Sequence, residues 1–211
     1  MAPFSHLLKY TALLSAGSLL FTSCSTLKHA SKSKAEPKKE NSEYVQFISQ
    51  PVYPKTHAVW KNDALLATTT AENSHIKINL ASQRGFLMNA DQIVIDYPIC
   101  SGTQKRPTPK GTFYILEKVV DKRSNRYGKY FDSEGKVINS NADLVLDPLP
   151  EGARFEGADM HYWMRLTADG VGHHIGPVLR TPASHACVRG PAQTMPVVFS
   201  KVKNGTRVDI E

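Results

Sequence analysis

Two short segments near the C-terminus hold the residue types that nucleophilic thiol chemistry needs. They are Gly172-His173-His174-Ile175-Gly176 and Ser184-His185-Ala186-Cys187-Val188-Arg189. A thiol acts as a nucleophile in its thiolate form, so it needs a base or a positive field beside it. Both are at hand around Cys187, and we read Cys187 as the nucleophile and His174 as its base. Three other readings of these residues stand beside that one. Cys187 can be an inert buried thiol. It can be bridged to Cys100 if the chain resides in an oxidising compartment. His161, His173, His174, His185 and Cys187 can also supply zinc ligands, although none of their spacings matches a strong zinc motif.

Positioning these groups requires strands. His174 and Cys187 come to one end of a sheet if the segments before and after the Gly176–Pro182 loop form adjacent strands. The order His then Cys excludes the papain arrangement, which runs Cys, His, Asn. Upstream, His75 to Leu80 alternates, with Ile76, Ile78 and Leu80 on one face of a half-buried strand. Gln83 to Met88 reads as a second strand, turning at Asn89-Ala90-Asp91, and Gln92 to Ile99 as a more buried third. Ser101-Gly102 opens a turn-rich loop with Pro107, Pro109 and Gly111. Thr112 to Leu116, Tyr162 to Leu166 and Val171 to Ile175 read as further strands. Thr194 is placed to cap a helix running through Val202, with Met195, Val198, Phe199 and Val202 on one face. Asn204-Gly205 ends it, and Thr206 to Ile210 closes the chain as a strand. Asp121 to Asp159 has no clean period and reads as a long insertion partly covering the cleft. Before the first strand, Val45 to Ile48 reads as an edge strand, and Trp60 with Leu65-Leu66 as packing onto the domain behind. The expectation is a mainly β fold, a sandwich or partly open barrel with one clear helix.

The 211 residues suit one domain plus accessory segments, and 41% hydrophobic residues suffice for one core. No repeat period recurs. The net charge of +7 permits an anionic neighbour, but no basic helix with interleaved aromatics is present, so no nucleic-acid partner is expected. Lys9 precedes an apolar run from Tyr10 to Phe21, too short to span a bilayer and suited to a secretory signal. The small residues before Cys24 resemble a bacterial lipoprotein signal, although Phe21 stands where Leu, Val or Ile is usual. That resemblance implies a signal over residues 1–24, lipidation of Cys24, and an exported chain anchored to a membrane of the cell envelope or periplasm. Residues 25–43, rich in Ser, Lys, Ala, Glu and Pro, read as a flexible basic tether reaching about 60 Å if extended. Residues 44–72 form a lead-in, and residues 73–211 the catalytic domain.

Ser184-His185-Ala186-Cys187-Val188-Arg189, preceded by His174, resembles the Ser-His-Gly-Cys-Ile/Val-Arg signature of the L,D-transpeptidase catalytic-domain (YkuD-like) family. Pro98-Ile99-Cys100-Ser101-Gly102, Thr108-Pro109-Lys110-Gly111-Thr112-Phe113, Tyr162-Trp163-Met164-Arg165-Leu166 and Asn204-Gly205-Thr206-Arg207-Val208 extend the likeness from about residue 73 to the C-terminus. The resemblance implies a β-sandwich with the insertion over its cleft and no cofactor or metal. It implies peptidoglycan stem peptides as substrates: Cys187 attacks a donor tetrapeptide, D-alanine leaves, and an acceptor amine resolves the thioester to a 3→3 cross-link. His174 is then the base, oriented by the Ile175 backbone carbonyl. Ser184 and His185 shape the site, and Arg189 favours anions near Cys187 or binds a stem carboxylate. Backbone N–H groups around Ala186 and Cys187 form the oxyanion site, worth about 3–4 kcal/mol per donor in analogous enzymes. Three positions depart from the pattern: Ala186 replaces Gly, Ile175 is bulkier than usual, and Gly190 replaces an apolar residue. The same acyl-enzyme can instead go to water, as an L,D-carboxypeptidase or a hydrolase of wall-linked peptides. A weakly active or non-catalytic wall-binding lipoprotein is the remaining alternative.

Overall fold

Alternating burial builds the first sheet. The computed structural model describes residues 42–211, so the expectations for the signal, Cys24 and most of the tether lie outside the described residues. The elements run α1 (Ser42–Ile48), β1 (Trp60–Lys61), α2 (Asp63–Thr68), β2 (Ser74–Asn79), β3 (Arg84–Asn89), β4 (Gln92–Pro98), β5 (Gly111–Tyr114), β6 (Glu117–Val119), β7 (Arg123–Phe131), β8 (Val137–Asp143), β9 (Arg154–Asp159), β10 (Trp163–Arg165), β11 (Gly172–Ile175), β12 (Val188–Gly190), α3 (Met195–Ser200) and β13 (Arg207–Ile210). In β2, Ile76 and Ile78 are buried while Lys77 between them is exposed, which is the period-two pattern of a half-buried strand. The six-stranded sheet has the order β1-β4-β3-β2-β13-β5, and a four-stranded sheet has β12-β11-β10-β6. Ile76, Leu87, Ile95 and Val208 of the first sheet share one core with Met164 and Val188 of the second and with Met195 and Val198 of α3. The architecture is the expected β-sandwich.

The insertion is ordered. Strands β8-β7-β9 form a separate three-stranded antiparallel sheet, closed around the buried Tyr130, which meets Phe155 edge-on. Helix α3 is shorter than expected. Thr194 occupies the N-cap position but its side chain makes no capping bond. At the C-terminal end of the helix, the Lys118 ammonium donates to the Phe199 carbonyl at 2.7 Å, meeting a carbonyl that a helix end leaves open.

The lead-in corrects one expectation: Val45 to Ile48 lies in helix α1 rather than an edge strand. The edge strand is β1, pairing Trp60 with Asp96 of β4. The segment docks on a buried ion pair. Arg84 and Asp96 are wholly inaccessible and 2.6 Å apart. Arg84 also donates to the carbonyls of Thr56 and Ala58, at 3.0 and 3.2 Å. The hydroxyls of Tyr44 and Tyr53 donate to the second oxygen of Asp96, each at 3.1 Å. Leu65 and Leu66 pack against the core, as expected. Burying one charge without its partner is far costlier than burying the pair. Arg84→Met should therefore lower stability by about 3–5 kcal/mol in urea unfolding, and adding Asp96→Asn should restore part of that loss. A loss below about 1 kcal/mol, the level of an exposed pair, would show that the lead-in is not held this way.

Candidate active site

The register of two strands decides which side chains meet. β11 and β12 run parallel, with His173 opposite Val188 and His174 opposite Arg189. Side chains alternate along a strand, so His174, Arg189 and the residue two before it, Cys187, share one face. His173 and Val188 share the other. His173 accordingly points into the core: its Nδ1 lies 2.9 Å from the Val188 carbonyl and its Nε2 3.0 Å from the Tyr97 hydroxyl. His174 and Cys187 instead line a common cavity of about 270 Å³ with Ser184, His185 and Arg189.

The His174 ring is held in one orientation. Its Nδ1 donates to the Ile175 carbonyl at 2.7 Å, which leaves Nε2 as the free acceptor. The buried Trp163 ring packs beside it, centroids 5.7 Å apart. Burial holds His174 down to about 4, against the pull of its bond to Ile175. Burial also pushes the Cys187 thiol up, while the Gly172 N–H and the Arg189 cation favour the thiolate. Burial thus disfavours the charged form of both groups.

The turn carrying Cys187 is braced from three directions. The Ser184 hydroxyl donates to the Cys187 carbonyl. The Thr108 hydroxyl donates to the Ala186 carbonyl at 2.7 Å and accepts from the Gly102 N–H at 2.8 Å. Gly102 comes so close that an added Cβ would stand 2.8 Å from the Ala186 Cα. Ala186 itself has φ +78°, the left-handed region that favours glycine. Outside the strand ladders, the N–H groups of Ala186 and Cys187 have no acceptor among the described residues. The turn therefore presents the free donors that an oxyanion requires. Gly190 has a packing reason: a Cβ there would stand 2.3 Å from the Met195 sulfur and 3.2 Å from the His173 ring.

His185 stacks on Tyr127 of the insertion, centroids 4.3 Å apart and 8° from parallel. Arg106 and Arg126 flank the Tyr127 ring. Arg106 and Arg126 also line a second cavity of about 520 Å³, which borders Cys187 as well. Ser124, Tyr127 and Met160 of the insertion region line both cavities, so this segment walls the cleft as expected. Cys100 and Cys187 are both free thiols. Cys100 is buried and faces the Thr181 carbonyl at 3.2 Å, so the considered bridge is not formed. His161 lies apart, against Asp121 at 3.3 Å. Among the described residues no three His, Cys, Asp or Glu side chains cluster as metal ligands. The motif does not mark Thr108 or Tyr127 as site residues, while Trp163, a candidate for the cleft wall or the core, is buried and also lines the larger cavity. Thr108 sits within the quoted Thr-Pro-Lys-Gly segment, but its hydroxyl's target lies 78 residues on.

The left-handed Ala186 costs about 1–2 kcal/mol relative to an unstrained residue, and glycine would return about 0.5–1 kcal/mol of that as lost chain entropy. Ala186→Gly should thus raise unfolding stability by about 1 kcal/mol in urea titration. A loss of stability would show that the turn is not strained at this position.

Residues 73–210 match the YkuD family model, the L,D-transpeptidase catalytic domain. Among solved structures, an L,D-transpeptidase from Mycobacterium smegmatis is similar at 20% identity and TM-score 0.49, over 66% of this chain and 58% of that one. L,D-transpeptidase 1 of Mycobacterium tuberculosis is similar at 20% identity and TM-score 0.46, over 65% and 60%. The catalytic domain of the Enterococcus faecium L,D-transpeptidase is similar at 25% identity and TM-score 0.46, over 66% and 98%. The chain thus spans less than two thirds of the two mycobacterial proteins. Comparison with curated proteins finds no match. The structural likenesses are loose, and membership rests on the domain match, which takes in more than half of the sequence and both halves of the site: the chain belongs to the L,D-transpeptidase catalytic-domain family.

Proposed function

We propose that this chain is a peptidoglycan L,D-transpeptidase that works through a thioester on Cys187. The observation that carries the reading is His174: its Nδ1 is fixed on the Ile175 carbonyl, so its Nε2 is free on the strand face that also holds Cys187. On attack, the Cys187 Sγ–H proton passes to His174 Nε2 and sulfur bonds to the donor carbonyl carbon. The carbonyl oxygen takes the negative charge and faces the Ala186 and Cys187 N–H groups. The C–N bond then breaks, His174 returns its proton to the nitrogen, and D-alanine leaves. An acceptor amine attacks the thioester; a C–N bond forms, the C–S bond breaks with its electron pair on sulfur, and the amine proton passes through His174 back to the thiol. The product is a 3→3 cross-link. His185 and Arg189 shape the donor site, and Ser184 and Thr108 hold the turn. Export and a lipid anchor on Cys24, with residues 25–43 as tether, would place the domain on the wall. The apolar run and the small residues before Cys24 support that placement. Among the described residues no helix is long and apolar enough to cross a membrane.

Incubation with disaccharide-tetrapeptides tests the reaction. Cross-linked dimers that vanish in Cys187→Ala support it, tripeptides alone point to the hydrolase, and no Cys187-dependent product overturns it. Metabolic labelling with a fatty-acid probe, lost in Cys24→Ala, tests the anchor.

The pH profile checks the base. His174 must be neutral to accept the proton, and burial holds it to about 4. Acylation should therefore rise through about pH 4 and stay level across neutral pH, with no limb near 6.5, the ordinary histidine value. Alkylation of Cys187 by iodoacetamide should rise only above the ordinary thiol range, since burial raises that group. A half-maximum near 6.5 would contradict a desolvated His174.

A further inference from the structure

The neighbours of His174 across the sheet decide how much water reaches its ring. In the β10–β11 ladder Met164 faces His173 and Arg165 faces Gly172. One step along the same register sets Trp163 opposite His174, and the ladder continues there with the Ile175 N–H on the His161 carbonyl. On its other side His174 faces Arg189 of β12, while Trp163 faces Val119 of β6. One row therefore crosses the sheet as Val119, Trp163, His174 and Arg189, with all four side chains on the same face. The imidazole stands between an indole and a cation.

The indole fits because Gly172 has no side chain. A Cβ there would stand 2.4 Å from Trp163 Cη2 and 2.5 Å from its Cζ3, so any other residue would push the ring from its seat. Trp163 is buried, its ring centroid 5.7 Å from that of His174. Its own N–H is buried too and meets no acceptor among the described residues. A buried donor left open costs stability, and folds tolerate such costs chiefly where a site requires the group.

The ionisable groups around His174 do not replace this shield. Arg165, beside Trp163 on β10, holds Glu117 at 3.1 Å. Asp159 of β9 holds Arg123 at 2.9 Å. Tyr127, His185 and Cys187 border the same cavity as His174. Burial is the largest cause holding His174 low, and the positive forms of His173 and Arg189 add to it.

We infer that Trp163, seated in the notch at Gly172, is a positioning residue that shields the His174 ring from water and extends acyl transfer into acidic conditions. This inference rests on His174 being the base, as proposed above. An imidazole open to water is mostly protonated below about 6.5 and cannot then accept the Cys187 proton. A shielded one still can. Trp163 acts through His174 and itself makes or breaks no bond.

Two readouts separate the shield from the reaction. In the Cys187→Ser chain, NMR titration of the imidazole Cε1–H reads His174 without turnover, with His174→Asn identifying the signal. The midpoint should lie at about 4 and rise to about 5–6 in Trp163→Leu, toward the ordinary histidine value. Gly172→Ala should move it the same way by displacing the ring, and it carries the test if Trp163→Leu does not fold. Trp163→Phe keeps an aromatic ring without the open N–H and should hold most of the original value. Met164→Ala, a truncation in the core, should leave the midpoint in place. In turnover, Trp163→Leu should slow thioester formation at pH 5 relative to pH 8 by about two- to tenfold, and Trp163→Phe should restore most of it. A midpoint that Trp163→Leu and Gly172→Ala leave at about 4, or that Met164→Ala raises as much, would overturn the shield. A midpoint that moves as expected in a chain that forms no thioester would uphold the shield and overturn the proposed reaction.

Discussion

The parallel pairing of β11 with β12 is the constraint on which the site depends. With His174 opposite Arg189, the alternation of the pleat brings His174, Cys187 and Arg189 to one face and sends His173 and Val188 into the core. A slip of one residue would exchange the two faces. His173 guards against that slip. It is anchored at both ring nitrogens, to the Val188 carbonyl on the neighbouring strand and to the Tyr97 hydroxyl on the opposite sheet. The adjacent histidines are therefore complementary: the buried one secures the register that exposes the other to the cleft. Gly190 belongs to the same device, because any larger residue would collide with Met195 and press on His173.

Burial sets the chemistry of the resting state. Removing His174 and Cys187 from water disfavours both charged forms, and the two shifts act in opposite directions on a proton transfer. A low histidine and a high thiol together oppose a preformed thiolate–imidazolium pair. In the proposed reaction charge then develops during attack, where free N–H groups on a braced turn can meet it. The cost of that bracing is visible in the backbone. Ala186 is kept left-handed by Thr108 on its carbonyl and by Ser184 on the next carbonyl. Strain of this size persists only where the surroundings over-determine the conformation.

The sequence was legible where one face of an element is buried. The alternation of Ile76 and Ile78 placed β2, and the two His-bearing segments placed the site, because local pattern and function coincide there. It was not legible in three kinds of place. Residues 45–48 carry an apolar run too short to separate strand from helix, and the deciding contact, Tyr44 on the buried Asp96, lies 52 residues away. The insertion hid its strands because bulges break the ladder between Gly128 and Phe131, so no alternation survives to be read. Thr108, Tyr127 and Trp163 act through partners distant in sequence. Their types alone do not announce that, whereas the Cys and His residues declare themselves by chemistry. Thr194 shows the opposite error: a residue type suited to capping sits at the cap position and leaves the bond unmade.

The insertion also changes what kind of cleft this is. Its Tyr127 covers His185 face to face, and Ser124 and Met160 touch both cavities, so the nucleophile is approached from two sides under one cover. The smaller side carries His174 and Arg189, and the larger one is ionic. Two-substrate transfer needs such a division, because the second substrate must reach the thioester while the first still occupies its own place. Water needs no such room. The partition of the cleft by the insertion thus leaves room for two ligands beside Cys187, a geometry that the His174 and Cys187 segments alone do not supply.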